Sequence, residues 1–312
     1  MESSLWMWGA FGILLIALLA FDLFAVGRQR SAIGIRESLL LTAGYVVIAL
    51  LFGGAIFWWR GADDGMAYLT GFLLEKTLSF DNMFVFVVIF AHFQVPKEYQ
   101  HRVLFWGILG ALAMRAVMIF AGAALINAVE WVIYVFAAIV IASGVRLLMK
   151  RGEEPDLEQN RLLKFVRRRV PMTKDYAGRH FFVRRDGTRC ATPLLLTLLL
   201  IEATDLVFAL DSIPAIFGVT RDPFLIYTSN AFAILGLRAL YFALAGMVRR
   251  FAYLDLGLSI VLILIGLKMI AEAFIEIPIW VTLAVTVAVI GGAILASLAK
   301  DRRRSRESVA KA

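Results

Sequence analysis

EKTLSFDNMFVF (75–86) sets Glu75, Lys76 and Asp81 inside an otherwise apolar run, 66–91, long enough to cross a bilayer. A charged side chain at bilayer depth costs about 2.5–3.5 kcal/mol on insertion scales, so such residues mark an ion pathway or a buried pair. A second stretch, IEATDLVFALDSIPAIF (201–217), repeats the pattern with Glu202, Asp205 and Asp211. Lys76 alone cannot neutralise five carboxylates on these two spans. Two ionised carboxylates about 5 Å apart at an effective dielectric near ~20 repel by about 3 kcal/mol. The cluster therefore needs a bound cation or must take up protons.

The rest of the chain surrounds these stretches with the same apolar material. Of 312 residues 61% are hydrophobic and only 18% charged, and the mean hydropathy is +0.81; a soluble domain of this length would be nearer half apolar. Spans are expected near 5–26, 38–59, 66–91, 103–126, 130–149, 193–218, 224–248, 254–274 and 278–299. That reading is an all-α integral membrane protein of about nine transmembrane helices in a single polytopic domain. Trp58, Trp59, Trp131 and Trp280 fall near span ends, where an interfacial belt places them. The start MESSLWMWGA carries Glu2 and no basic residue, unlike a signal peptide, so the first span is expected to be retained. The sole cysteine, Cys190, excludes an intrachain disulfide.

Net charge is +8, with the excess concentrated in the loop 150–192, which holds twelve Lys and Arg, and in the tail 300–312. Basic flanks of membrane spans favour the cytoplasmic side and anionic lipid, so nucleic acid is not expected as a partner. Arg28, Arg30 and Arg36 follow span 1, Lys97 and Arg102 follow span 3, and Arg249 and Arg250 follow span 7. The alternate connections are short and nearly uncharged. With nine spans every basic connection falls on one side, which puts the N-terminus outside and the C-terminus in the cytoplasm of a bacterial inner membrane. Within 150–192, Asp156–Arg169 reads as a polar helix and Asp186-Gly187 as a hairpin turn. The plain reading is a solvated insert; partner binding is the alternative.

Shifting the sequence by about 130 residues aligns Glu75 with Asp205, Asp81 with Asp211 and Asn82 with Ser212. Farther along, GALAMRAV (Arg115) meets AILGLRAL (Arg238), and GVRLL (Arg146) meets GLKMI (Lys268). Spans 3–5 and 6–8 thus read as two three-helix repeats, inverted relative to one another, as in many secondary transporters.

Helical periodicity arranges the polar groups. Glu75, Ser79 and Asn82 share one face, and Glu202, Asp205 and Ser212 share another, while Asp81 and Asp211 each point about 100° away from their polar neighbour. Pro214 is expected to kink the second helix near Asp211 and free the Leu210 carbonyl. The histidines and Cys190 fall in or beside connections, leaving carboxylate, amide, hydroxyl and carbonyl oxygens at depth. Such donors suit Mn²⁺, Ca²⁺ or Mg²⁺ and argue against zinc or copper. Arg115 and Arg238 are candidate partners if the cluster is a structural set of ion pairs, or counter-charges for emptied carboxylates in a transport cycle. Asn230 either bonds between helices or lines the site. Lys76 is expected to snorkel or pair with a carboxylate, Asp22 to be interfacial, and Glu272 to be solvated.

At EKTLSFDNMFVF and IEATDLVFALDSIPAIF, and through FDL (21–23), YTSNAFAILGLRALYF (227–242) and FFVRRDGTRCATPLL (181–195), the sequence resembles the TerC family of membrane proteins, most of all its Alx-type bacterial members. The similarity covers roughly 5–298. It implies a multi-helix inner-membrane protein that moves Mn²⁺ outward, in a family linked by name to tellurium resistance. It also implies metal-site positions at Glu75, Asp81, Asn82, Asp205, Asp211 and Ser212, with Glu202, Ser79, Asn230, Arg115, Arg238 and Lys76 in support.

The function expected is therefore divalent-cation export by alternating access, Mn²⁺ first and Ca²⁺ as the alternative ion, with proton exchange as the coupling. The cation is substrate, with no prosthetic group and no enzymatic activity expected. An intramembrane aspartyl protease would use paired aspartates to activate water, but the amide and hydroxyl neighbours suit coordination better. A non-transporting membrane scaffold recruiting partners through 150–192 is the third class.

Overall fold

The apolar runs fold as helices because a bilayer supplies no partner for backbone N–H and C=O groups, which must be satisfied within each span. The computed structural model describes residues 5–27, 35–129, 131–149, 171–173, 176–185, 188–244, 253–275 and 277–310. Within them lie α1 (Leu5–Gly27), α2 (Ile35–Arg60), α3 (Ala62–His92), α4 (Lys97–Ala128), α5 (Val132–Met149), β1 (Phe182–Arg185), β2 (Thr188–Ala191), α6 (Pro193–Phe217), α7 (Pro223–Leu235), α8 (Leu237–Leu244), α9 (Leu254–Ala271) and α10 (Ile279–Ala310). Eight helical segments, with α7 and α8 taken together, are long and apolar enough to cross a membrane. The 31-residue α3 is the ninth expected span; at about 1.5 Å per residue it exceeds the ~30 Å hydrocarbon core.

Span 7 carries a one-residue interruption at Gly236 between α7 and α8, where the backbone stays helical at φ −80°, ψ −2°. The helix of span 6 continues through Pro214 to Phe217, and Pro214 has no N–H to give the Leu210 carbonyl. The expected helix at Asp156–Arg169 lies outside the described residues, as does the Asp186-Gly187 pair itself. The strands flanking that pair are antiparallel, with Arg185 opposite Thr188, as a two-residue hairpin requires.

Helices α3, α4, α6 and α7 form the centre, and α5 packs along α9 beside them. Burial separates centre from rim. In Pro223–Phe242 94% of the most apolar stretch is buried, against 17% in Leu5–Leu23 and in Ile279–Lys300. Trp58, Trp59, Trp131, Phe274 and Trp280 are exposed, and Trp6 meets Trp59 at 4.1 Å between ring centroids. These residues sit where the N-terminus of α1 and the connections α2–α3, α4–α5 and α9–α10 share one face of the bundle. On that face Arg60 bonds both Asp64 and, across to the α6–α7 connection, Asp222. The opposite face carries the β-hairpin, where the Tyr176 hydroxyl donates to the Phe93 carbonyl at the end of α3.

Close approaches fix the helix directions. A Cβ on Gly71 would lie 3.5 Å from Ile216, while eleven residues later Asn82 reaches Asp205; α3 and α6 therefore run antiparallel. Gly144 abuts Ser259 and Ile263, and Gly266 abuts Ala137 and Ile141, so α5 and α9 are antiparallel too. Along α4 and α6 the contacts rise together, from Gly107 with Ile201 to Gly122 with Phe217. The same holds for α3 and α7, from Gly71 with Ser229 to Lys76 with Ala233; both pairs are parallel. Glycine at 71 lets α3 and α7 approach closely, since a Cβ there would stand 2.9 Å from Ser229 Oγ.

Candidate cation site

The four central helices turn their polar faces toward one point. Glu75 and Asn82, seven residues apart on α3, lie within about 20° of each other around the helix, as do Asp205 and Ser212 on α6. All four are buried, Glu75 at 0% exposure. Between them stands the Arg115 guanidinium from α4, itself 1% exposed. Its Nη1 donates to Glu75 Oε1, to Asn230 Oδ1 of α7 at 2.6 Å and to Ser212 Oγ at 3.3 Å. Its Nη2 and Nε donate to Asp205 at 3.1 and 3.3 Å. Asn82 Nδ2 donates to Asp205 Oδ1 at 3.4 Å. One guanidinium thus ties four helices through two carboxylates and the Asn230 amide, and burial makes that geometry consequential: removing one partner of a buried pair costs about 3–5 kcal/mol.

The cluster is not saturated. Glu75 Oε2, Asn82 Oδ1 and Ser79 Oγ are buried with no hydrogen bond among the described residues. An unmatched buried acceptor costs about 1–3 kcal/mol, more when charged. Two ionised carboxylates against one guanidinium would leave one negative charge over, to be met by a proton or a cation. The site as folded has spare acceptor oxygens, which a hard cation requires.

The remaining candidates lie elsewhere. Asp211 does not join the cluster: its carboxylate accepts from Ser143 Oγ of α5 at 2.5 Å. The side chain of Asp81, its counterpart, lies outside the described residues. Glu202 is half-buried against Gly110 of α4, and its Oε2 has no hydrogen bond among the described residues. Arg238 is no partner of the central carboxylates; it pairs with Asp22 of α1 at 2.8 Å and also donates to the Asp22 carbonyl. Asp22 is accordingly buried, 2% exposed, rather than interfacial. Among the described residues Lys76 pairs with no carboxylate: it donates to the Ala233 carbonyl at 3.1 Å, at the last turn of α7. Asn230 lines the site. Glu272 is 40% exposed and pairs with Lys268 at 2.8 Å. Among the described residues no three His, Cys, Asp or Glu side chains stand close enough to hold a metal together.

Sequence reasoning passed over two partners. Tyr45 of α2 donates to Asp22 at 3.2 Å, and Ser143 holds Asp211. Both are single polar residues in apolar spans; Ser143 adjoins Gly144, the small residue that lets α5 and α9 close, and that adjacency was the available signal.

The model of the family described as "Integral membrane protein TerC family" matches residues 60–305, which include every helix of the cluster. The chain is 49% identical over 296 residues to "Uncharacterized membrane protein STKORF319" of Myxococcus xanthus, covering 95% of this chain and 93% of the relative. It is 44% identical over 300 residues to an "Uncharacterized membrane protein" of Rickettsia bellii, at 96% and 99% coverage. To the Escherichia coli K12 protein named "Putative membrane-bound redox modulator Alx" it is 42% identical over 288 residues, 89% of this chain and 90% of that one. No solved structure matches the chain. A helical bundle with paired acidic motifs and, among the described residues, eight helices long and apolar enough to span a membrane, matched by the family over most of its length, settles the lineage: the chain belongs to the TerC family of integral membrane proteins.

Proposed function

We propose that this chain exports divalent cations, Mn²⁺ foremost, by alternating access at the Glu75–Asp205 site. The observation that carries the reading is the convergence of these carboxylates from antiparallel helices at the bundle centre, with Glu75 Oε2 and Asn82 Oδ1 buried and unmatched beside them. Carboxylate, amide and hydroxyl oxygens form a donor set for Mn²⁺ or Ca²⁺. Arg115 acts as the counter-charge of the cation-free state. A cation entering between Glu75 and Asp205 displaces the guanidinium, and the guanidinium returns when the ion leaves.

The helix directions support a two-state cycle. With α3 antiparallel to α6, α5 antiparallel to α9, and the cross-pairs α3–α7 and α4–α6 both parallel, α3–α5 and α6–α9 have the arrangement of an inverted-topology repeat. Exchanging the conformations of the two units would open the site to the opposite face. The basic connections support a cytoplasmic hairpin face in a bacterial inner membrane, with the loop 150–192 and the tail 300–312 against anionic lipid. The protein is thus a transporter and not an enzyme, with proton exchange as its coupling. The redox role in the name of the Escherichia coli relative would, on this reading, follow from metal balance.

Flux of Mn²⁺, Ca²⁺ and Mg²⁺ into proteoliposomes tests it. Mn²⁺ movement is expected for the unmutated chain and its loss in Asp205→Asn. Preference for Ca²⁺ would replace the substrate, and movement of none of the three would leave the cluster a structural ion-pair network.

A further inference from the structure

Arg115 and Arg238 occupy equivalent places in the two repeats, within GALAMRAV (110–117) and AILGLRAL (233–240). Each arginine reaches toward the other repeat: Arg115 bonds Asn230 of α7, and Arg238 lies over Phe105 of α4, its guanidinium 6.0 Å from the ring centroid. Yet the two side chains do different things. Arg115 holds the central carboxylates, whereas Arg238, 2% exposed, is held by Asp22 from α1, a helix outside both repeats. Tyr45 of α2 steadies the same carboxylate. Arg238 Nε is buried without a hydrogen bond among the described residues, so its present seat does not use the whole fork of donors.

Arg238 lies two residues beyond Gly236, where α7 gives way to α8. Lys76 donates to the last turn of α7, where carbonyls lose their helical partners and the helix dipole favours a cation. The α7–α8 joint is thus held from two sides, by Lys76 above and by Asp22 below. On the hairpin side His101 of α4 closes the gap, its ring stacked on Phe242 of α8 at 3.9 Å.

We infer that Asp22 is a positioning residue for Arg238: it holds this second, symmetry-related guanidinium away from the Glu75–Asp205 pair while Arg115 occupies that pair. Release of the Asp22–Arg238 latch swings α8 about Gly236, opens the α4–α8 seam at His101, and lets Arg238 take over as counter-charge when Arg115 leaves. This assignment rests on the alternating-access reading above. It gives α1 a task that the repeats do not perform, which is to select which of two equivalent arginines is engaged.

The test uses the full-length chain carrying Cys190→Ser, reconstituted in liposomes, with one reporter cysteine at a time and a membrane-impermeant maleimide. His101→Cys reports the seam on the hairpin side; Ser229→Cys, at a fully buried position against Gly71, reports the other half. Asp22→Asn is expected to speed labelling of His101→Cys by about tenfold, the factor for ~1.4 kcal/mol, while the Ser229→Cys rate stays the same or falls. Asp22→Glu and the charge-swapped pair Asp22→Arg with Arg238→Asp are expected to restore the slow rate. Tyr45→Phe, a milder change to the same latch, should move the rate in the same direction even if Asp22→Asn does not fold. Speeding at both reporters would mean general loosening and would overturn the inference, as would no change at His101→Cys. Mn²⁺ flux through the unmutated chain, measured in the same vesicles, separates the two claims: absent flux with the labelling pattern intact removes the transport reading, not the latch.

Discussion

Asp205 and Asp211 stand on one helix, six residues apart, and live in different surroundings. Asp205 is 4% exposed and shares the Arg115 guanidinium with Glu75 at the bundle centre. Asp211 is half-buried on the side of α5, where a single serine hydroxyl meets it. Six residues turn an α-helix by about 600°, leaving the two side chains roughly 120° apart. Helical phase, more than sequence proximity, decides which carboxylates of an acidic motif can share a ligand. Asp205 is therefore bound into a charge balance that any cation must disturb, whereas among the described residues Asp211 accepts one side-chain hydrogen bond, from Ser143, with the Arg146 charge near it.

The largest effect expected from breaking this contrast comes at Arg115. Arg115→Gln would strand two buried carboxylates, and losing one partner of a buried pair costs about 3–5 kcal/mol. Thermal unfolding in detergent should show that drop. Added Mn²⁺ should recover more stability in the variant than in the unmutated chain, because the ion no longer competes with a guanidinium; equal recovery in both would break the counter-charge reading. Next in size is the pair of neutral variants at the compared positions. Asp205→Asn is expected to lower Mn²⁺ flux by about a hundredfold, or ~2.7 kcal/mol. Asp211→Asn should lower it by no more than about tenfold. Equal losses at the two positions would show that Asp211 also holds the ion.

A smaller effect is expected at the wall behind Asp211. Gly266 presses α9 against α5, so closely that a Cβ there would lie 2.9 Å from the Ala137 carbonyl oxygen. Gly266→Leu would wedge the pair apart and carry Ser143 away from Asp211. Overpacking of this kind costs typically about 1–3 kcal/mol, read as a lowered unfolding temperature. The central cluster, which neither α5 nor α9 supplies with a ligand, should keep its Mn²⁺ affinity; a large loss there would mean that the two regions are coupled.

Much of the bundle was legible in the sequence because its signals are local. Apolar length marked the spans, Lys and Arg marked one face, and the paired motifs marked α3 and α6. The convergence of Glu75, Asn82, Asp205 and Ser212 was also legible, since seven-residue spacing puts each pair on one helical face. Where the reading departed from the structure, the cause was tertiary. Nothing local distinguishes Arg115 from Arg238, which occupy matching motifs; only the position of α1 gives Arg238 to Asp22. Asp22 looked interfacial because it lies near a span end, and its burial depends on Tyr45 and Arg238 arriving from other helices. Asp211 was grouped with the central oxygens through the motif, although its phase already pointed away from Ser212.

Ser143→Ala is the mildest way to sharpen the contrast, and it acts on Asp211 alone. The Ser143 hydroxyl donates to Asp211 Oδ1 at 2.5 Å, and Arg146, one turn along α5, is exposed. Removing the hydroxyl takes away a hydrogen bond worth about 1.5–3 kcal/mol if the carboxylate is charged, or about 1 kcal/mol if it is neutral. Because Asp211 is only half-buried, water can replace part of that bond, and a loss near ~1 kcal/mol is expected in thermal unfolding. The flux prediction is sharper than the stability one. If Asp211 only anchors α6 to α5, Ser143→Ala should lower Mn²⁺ flux at least as much as Asp211→Asn, since an asparagine Oδ1 still accepts from Ser143 whereas alanine at 143 removes the donor. If Asp211 also receives the ion on its way out, Ser143→Ala frees that carboxylate and should leave flux unchanged or raise it, while Asp211→Asn lowers it. Opposite signs in the two variants would make Asp211 a second station on the ion's path, distinct from the arginine-held pair at the centre.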